Sequence, residues 1–550
     1  MNLEALLDAT RRRLRPPSGV APRTTAAALG LGFFLLMAGW ALITPMNATD
    51  EAAEVVKAAA TVRLENLGTV EPVSKAALGI SKKSPLTVGE VSVYRVPSSF
   101  SVRLFPCFLN GEANPSCAKP MGNGSATVSA LSYVGNYNPL YYVLVGWPTL
   151  LLTGAKCVYV MRLCSALLNA VLLGLAARTT LEARRPRRAL LCLAAATTPM
   201  TLFFGAIVNP NGTEICAASL VWSVVLRLVT AEEPVPAVAR RLAARGALGL
   251  VLLLNLRMLG PLWVALIAVI GWWIATPATR RALLRCRTVR LAALGSTLLG
   301  VVSLLWTALT PMELVSLSAV HPRLARAARM TLDLTPRHLR EMLFSYDWAE
   351  VQIPMLACVL LTCTLALLLV PLLADRRYAL PCLAMVVGVI AIPVVLQGYE
   401  MRSLGIIWQG RYLLPYAVGL LLLAGFVELD VHRAAPELAS RAVEHWLSAF
   451  VGISGLMCFW WAARFNANAQ GLAGPIIPWH THWAPPMTWP GAVLPYLLGA
   501  ALAAWALWSC ADRDHSAEGR AADAADSPDA ADAAVPGQPL RKVLPISPGA

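Results

Sequence analysis

The chain has 550 residues, 57% of them hydrophobic and only 14% charged, with a mean hydropathy of +0.59. A soluble domain carries about a quarter charged residues, so the composition excludes one. The net charge of +15 does not signal nucleic acid, because the Arg residues fall in the short gaps between apolar runs, mostly every second gap, which is the positive-inside orientation pattern.

The apolar runs are long enough to cross a hydrocarbon core of about 30 Å as helices. Lipid cannot hydrogen-bond a backbone, and no period-2 alternation supports a β-barrel. The expected fold class is an all-α polytopic membrane protein with about 12 transmembrane helices (range about 10–13) and extracytoplasmic loops.

Residues 1–24 form a basic N-terminus containing Arg11, Arg12, Arg13, Arg15 and Arg23. The run 25–46 exceeds a signal-peptide core and lacks a following small-residue cleavage pattern, so it is read as the first anchor, entering from the cytoplasm. The polar segment 47–138 is long enough for a small folded subdomain. The short run 139–152 is predicted to be interfacial or re-entrant, with Tyr141, Tyr142 and Trp147 at the membrane–water boundary.

Spans follow at 156–178, 189–208 and 213–230, the last two parted by the turn Asn209-Pro210-Asn211-Gly212. The stretch 246–275 is read as two short crossings broken at Arg257-Met258-Leu259-Gly260-Pro261, because only two put Arg280 to Arg290 inside. Further spans are placed at 291–310, 354–373, 379–396, 412–428, 446–463 and 491–510. The membrane domain is thus 25–510, with outer loops 47–138, 311–353 and 464–490, and 511–550 reads as a disordered cytoplasmic tail. Both termini fall in the cytoplasm, and the Arg- and Ala-rich composition points to a bacterial plasma (inner) membrane.

Of twelve cysteines, only Cys107 and Cys117 lie in the large polar loop, where a disulfide is plausible; the rest read as small apolar packing or as cytoplasmic residues. Asp50, Glu51 and Glu54 stand at the outer end of the first span. A partly desolvated carboxylate there can act as general base on a sugar hydroxyl, or Asp50 and Glu51 can bind a divalent cation such as Mg or Mn bridging a phosphate. In a helix Asp50, Glu54 and Lys57 share a face, and the alternative is a solvated helix terminus with i,i+4 pairs.

Arg411, in Gln409-Gly410-Arg411-Tyr412, offers a planar fork to a lipid phosphate or diphosphate, or else snorkels as an anchor. Asn209, Asn211 and Glu214 can bind sugar hydroxyls or cap a helix. Arg257 lies in an apolar stretch and so faces protein, water or a phosphate. His480 and His482 lack a third ligand, so no metal set is complete. Phe344, Tyr346, Asp347 and Trp348 line a sugar site or anchor a helix. No G-x-x-x-x-G-K-[ST] loop occurs, which argues against a nucleotide-driven pump.

Four segments in order, Thr49-Asp50-Glu51 through Glu54 and Lys57, Asn138-Pro139-Leu140-Tyr141-Tyr142, Thr198-Pro199-Met200 through Asn209-Pro210-Asn211-Gly212 and Glu214, and Gln409-Gly410-Arg411-Tyr412 through Pro415, resemble the bacterial membrane family DUF2142 over roughly 25–510. That family is similar, more remotely, to GT-C glycosyltransferases, which use polyprenyl-phosphate sugars. By that resemblance Asp50 is the base, Glu51 a helper or metal ligand, and Arg411 the donor-phosphate contact; Gln409 and Arg257 are further donor-phosphate candidates read from the residues themselves. Asn138, Tyr141, Tyr142, Asn209, Asn211 and Glu214 are the candidate sugar or acceptor contacts. The family's Pro-Asp-Glu-Pro-x-His-like run is altered here: Thr49 and Ala52 replace the prolines, and Glu54 stands where the His would be.

The expected function is sugar transfer from a polyprenyl-phosphate donor in the membrane lipid to an envelope glycan or lipid, on the extracytoplasmic face and without nucleic acid. The alternatives are a transporter or flippase of a lipid-linked saccharide, and a non-catalytic envelope-assembly protein. A transporter would be expected to show inverted repeats and midplane charges.

Overall fold

Apolar runs that cannot leave backbone groups unpaired in lipid fold as helices, and in the computed structural model nearly every run is one. The structure describes residues 21–46, 48–75, 89–104, 121–310, 322–346, 351–401, 405–427, 441–468, 472 and 481–525. Two units divide the chain. The larger, Pro22–Leu507, holds everything discussed below; of the other, which comprises the two chain ends, Ala21 and 508–525 are described.

Helix α1 (Pro22–Ile43) leads to α2 (Glu51–Thr61), then to strands β1 (Thr69–Pro72), β2 (Glu90–Pro97) and β3 (Thr127–Ser132). α3 (Leu140–Gly146) and α4 (Gly154–Thr180) follow. α5 (Pro186–Ala196) and α6 (Pro199–Ala206) meet at a 65° bend and precede α7 (Pro210–Val229), α8 (Val235–Leu256) and α9 (Gly260–Ile274). Next come α10 (Pro277–Arg285), α11 (Arg287–Leu309), α12 (Leu324–Asp333), α13 (Thr335–Leu343), β4 (Ser345–Tyr346) and β5 (Val351–Gln352). The chain ends with α14 (Met355–Leu369), α15 (Arg376–Glu400), α16 (Leu414–Phe426), α17 (Arg441–Ala467) and α18 (Thr488–Ala525).

Among the described residues eight helices are long and apolar enough to cross a membrane, or nine if the bent α5–α6 pair is one span. The count of about twelve is therefore not reached by length and composition. The difference lies in the short apolar helices Gly260–Ile274 and Gly410–Phe426, and in α8, which begins at Val235 and carries Arg240, Arg241 and Arg245. The break at Arg257–Leu259 does make two helices of 246–275. α18 runs to Ala525, so 511–525 is helical where a disordered tail was expected; alanine's helix propensity offers the reason.

α7 is the central helix, with 83% of its apolar window buried, whereas α11 is 11% buried and turns most of its surface outward. α1 packs on α4 through Gly30 and Gly174, where a Cβ on Gly174 would lie 3.2 Å from the Gly30 Cα. Small residues of this kind let membrane helices approach closely.

The polar segment is not helical throughout. β1, β2 and β3 form an antiparallel sheet in that order, registered Thr69↔Val93 and Ser92↔Ser132. α2 is buried along its whole length, and Ala52 and Ala53 pack with Val91, Leu104 and Val134. Lys57 locks the two layers together: Nζ donates to the carbonyls of Asn66 and of Gly135 (2.8 Å) and to the Tyr94 hydroxyl (3.2 Å).

One end of the helices gathers arginines. Arg241 and Arg245 pair with Glu182 at 3.1 and 2.7 Å, and Arg227 with Glu233 at 2.6 Å. The site below lies toward the other end, where α1 and α8 finish and α7 and α16 begin.

Candidate functional site

Asp50 precedes α2 in the left-handed backbone region, φ 64°. Its two oxygens have separate partners: Oδ2 accepts from Arg411 Nη2 at 2.6 Å, and Oδ1 from the Tyr133 hydroxyl at 2.8 Å. The two charges are 361 positions apart in sequence.

Arg411 sits in a single 3-10 turn, Gly410–Leu413, that leads into α16. Gly410 lets this turn press on α13: its N–H donates to Glu341 Oε2 at 2.8 Å, and a Cβ there would lie 2.0 Å from the His338 carbonyl oxygen. The guanidinium lies 4.2 Å from the centre of the Phe204 ring and 5.1 Å from that of Tyr412. It is 1% exposed, yet Nε and Nη1 have no hydrogen-bond partner among the described residues. Buried donors are nearly always paired, so these two unpartnered nitrogens set Arg411 apart from the fully bonded Arg162.

Glu54 reaches the same cluster one helical turn on. Its Oε2 accepts from the Tyr142 hydroxyl at 2.5 Å. Burial pushes the Glu54 carboxyl up to about 8; the Tyr142 hydrogen bond opposes the rise, Asp50 adds to it, and Arg257 and Arg411 oppose it. Burial also pulls the Lys57 ammonium down to about 8, against the pull of Glu54. The expected shared face of Asp50, Glu54 and Lys57 is therefore no solvated helix end: Asp50 and Glu54 enter the charged cluster and Lys57 clamps the sheet.

Glu51 goes elsewhere. Arg162 Nε and Nη2 donate to its two oxygens at 2.7 and 2.5 Å, and the Val208 N–H adds a third bond at 3.2 Å. Arg162 also binds the carbonyls of Ala41, Thr44 and Pro45. This knot ties the end of α1 to α4 and to the turn before α7. With Glu51 so committed and Asp50 held by Arg411, the two carboxylates do not converge on a shared Mg or Mn ion. No group of three His, Cys, Asp or Glu side chains with metal-binding geometry occurs among the described residues.

Arg257 stands between the cluster and α7. It lies 4.7 Å from the Tyr412 ring centre, contacts the Tyr137 hydroxyl at 3.4 Å and is 4.0 Å from Glu214. Glu214 accepts from the Trp263 indole at 3.0 Å and from Asn211 Nδ2 at 3.4 Å, while Asn211 Oδ1 has no partner among the described residues. Asn209 caps α7 by accepting from the Asn211 N–H at 2.9 Å. Gly212 is required here, since a Cβ would lie 2.3 Å from the Phe204 carbonyl oxygen.

Tyr141 and Tyr142 are buried rather than set at a membrane boundary. The Tyr141 hydroxyl accepts from the Asn209 N–H at 2.8 Å and lies 3.0 Å from Ser165 Oγ. Asn138 caps α3 through the Leu140 N–H at 3.0 Å, and Gln409 is half-buried at the start of the Arg411 turn. Phe344 and Tyr346 belong to an aromatic core around Trp40, at 5.8 and 6.2 Å, away from any stacking role at a surface. Cys107, Cys117, Asp347, Trp348 and His480 lie outside the described residues, and the His482 N–H caps the Ala467 carbonyl at 2.9 Å.

Sequence reasoning overlooked Arg162, Tyr133 and Tyr137. Arg162 had a readable signal, a charge inside an apolar run. The two tyrosines had none, because the sheet register that presents them is non-local.

A family model described as a predicted membrane protein (DUF2142) matches residues 34–420. Among solved structures, the chain is similar to "Crystal Structure of ArnT from Cupriavidus metallidurans bound to Undecaprenyl phosphate", at 14% identity, over 94% of this chain and 81% of that one, with a TM-score of 0.41. No curated protein matches. A superposition this loose carries no argument about activity, whereas the family match covers most of the chain.

Proposed function

The chain belongs to the DUF2142 family of multi-pass membrane proteins, and from that premise and the cluster geometry we propose that it transfers a sugar from a polyprenyl-phosphate donor to a cell-envelope glycan or lipid at the extracytoplasmic face. The observation that carries this reading is the buried Asp50–Arg411 pair, with two guanidinium nitrogens that have no partner among the described residues.

In this reading the donor phosphate takes the open edge of Arg411 and competes with Asp50 for Nη2. The phosphate charge replaces the carboxylate charge, and Asp50 is released to accept a proton. The acceptor hydroxyl oxygen attacks the anomeric carbon while its proton passes to Asp50. The bond from that carbon to the phosphate oxygen breaks, and its electrons stay on the phosphate held by Arg411. Arg257, one ring away, adds positive potential. Burial raises the Glu54 carboxyl to about 8, so in this reading Glu54 favours its protonated form beside Asp50, which is how two neighbouring acids can divide roles.

The test is Asp50→Asn, produced from a plasmid in a strain deleted for the gene, with mass spectrometry of envelope glycans and lipid-linked sugars. Asparagine tolerates the left-handed backbone that Asp50 adopts, so the variant changes charge without backbone strain. The expected result is normal insertion with loss of the glycan product and accumulation of donor. Wild-type product would remove Asp50 as the base.

A further inference from the structure

The arginines at the bundle end away from the Asp50 cluster fall into two kinds. Arg184, Arg187, Arg227, Arg241 and Arg245 all have glutamate partners. Arg280, Arg281, Arg285, Arg287 and Arg290, on α10 and the first turn of α11, form no ion pair among the described residues, and no acidic residue occurs between positions 234 and 312. Arg280 is committed to nearby backbone: Nε and Nη2 donate to the carbonyls of Trp272 and Trp273 at 2.9 and 3.0 Å, which caps α9. Arg377, at the start of α15, donates to the Ile274 carbonyl at 3.0 Å, and the acid beside it, Asp375, accepts from the Arg377 N–H at 2.9 Å. Arg281, Arg285, Arg287 and Arg290 are exposed.

Apolar surface borders these four charges. Trp272 and Trp273 are each 43% exposed at the end of α9, and Leu284 is 62% exposed on α10. On α11 Arg287 is followed by the exposed Leu291, Leu294, Leu298, Val302 and Leu305 at steps of three or four, so one helix face carries arginine at its head and aliphatic side chains beyond. α11 has 23 residues, about 34 Å, enough to cross a hydrocarbon core of about 30 Å from that head. We propose that the Arg281–Arg290 surface docks the head groups of anionic phospholipids, whose acyl chains lie along the exposed face of α11. The guanidinium fork matches a phosphate, and the tryptophans suit the boundary between water and lipid. Four exposed cations without an internal counter-ion attract a negative head group, at about fivefold in affinity for each arginine. A nucleic acid or an acidic protein would meet the arginines but offer no acyl chain to Leu291, Leu294 and Leu298. The surface lies at the opposite end of α9 from Arg257 and stands independently of the transfer reading.

The experiment is native mass spectrometry of the full chain in detergent, titrated with palmitoyl-oleoyl phosphatidylglycerol or with phosphatidylcholine of the same chains. Wild type should bind phosphatidylglycerol at least about tenfold more tightly. A variant combining Arg281→Gln, Arg285→Gln, Arg287→Gln and Arg290→Gln should lose that preference, and Lys at the same four positions, which retains the charge, should keep most of it. Arg241→Gln, in the glutamate-paired set, should leave it unchanged. Size-exclusion profiles verify folding; if the combined variant is not recovered, Arg285→Gln and Arg290→Gln alone should each weaken phosphatidylglycerol binding about fivefold. Equal binding of the two lipids by wild type, or a preference untouched in folded Gln variants, overturns the proposal. So does displacement of the lipid by glycerol phosphate or duplex DNA at matched concentration, which would assign the surface to a soluble anion.

Discussion

Replacing Glu51 by Gln tests whether the carboxylate held by Arg162 is structural and distinct in role from Asp50, its neighbour in sequence. Glu51 is 1% exposed and Arg162 fully buried, and the guanidinium makes five bonds, two of them to the carboxylate at 2.7 and 2.5 Å. Removing one partner of such a buried pair costs about 3–5 kcal/mol, because the remaining charge stays in a low dielectric. Three carbonyls still face Arg162, which places the expected loss toward the lower bound, near 3 kcal/mol. Asp50 accepts two hydrogen bonds and its side chain is 18% exposed, and an Asn there keeps a carbonyl oxygen that can still accept from Arg411, so Asp50→Asn should cost less, about 1 kcal/mol. Thermal unfolding of both variants in the same detergent is the assay. Glu51→Gln should melt well below wild type and Asp50→Asn close to it, while only Asp50→Asn should lose product in the fraction that is folded. Equal melting shifts, or a fully stable Glu51→Gln, would refute the division of labour.

Glu54 gives a pH signature. Its carboxyl holds a proton to about 8 when folded, against an ordinary 4.5, so the folded state binds the extra proton throughout that interval. Stability should therefore fall as pH rises from about 4.5 to about 8, and Glu54→Gln should flatten that decline in chemical-denaturation midpoints. Arg411→Lys keeps the charge but not the planar fork, and should reduce product formation at least about tenfold with little change in melting; wild-type product would exclude bidentate anion binding. Gly212→Ala should prevent recovery of folded protein because its new methyl meets backbone, whereas Gly295→Ala, with nothing within 4 Å, should be harmless or slightly stabilising in the same expression test.

The helices were readable because hydropathy and the Arg-rich gaps are local signals, and the Arg257–Pro261 break was readable because Gly and Pro punctuate an apolar run. What the pattern could not show is where adjacent side chains point. Asp50 stands in the cap and Glu51 begins the helix, and that change in backbone sends one carboxylate to Arg411 and the other to Arg162. Tyr141 and Tyr142 looked like boundary residues from composition, yet their hydroxyls found buried partners in Asn209 and Glu54. The proximity of positions 50 and 411 followed only from topology, which places both at the same end of their helices, together with the family resemblance. The sheet stayed hidden because its strands are short and its longest connection runs from Pro97 to Thr127.

The Glu51–Arg162 knot and the Asp50–Arg411 pair differ in when synthesis can complete them. Glu51 meets a partner 111 positions downstream, so the first third of the nascent chain suffices. Asp50 must wait for a residue 361 positions later, after most of the chain has left the ribosome. A ribosome stalled in between would leave a chain able to close the Glu51–Arg162 knot while Asp50 still lacks its counter-ion.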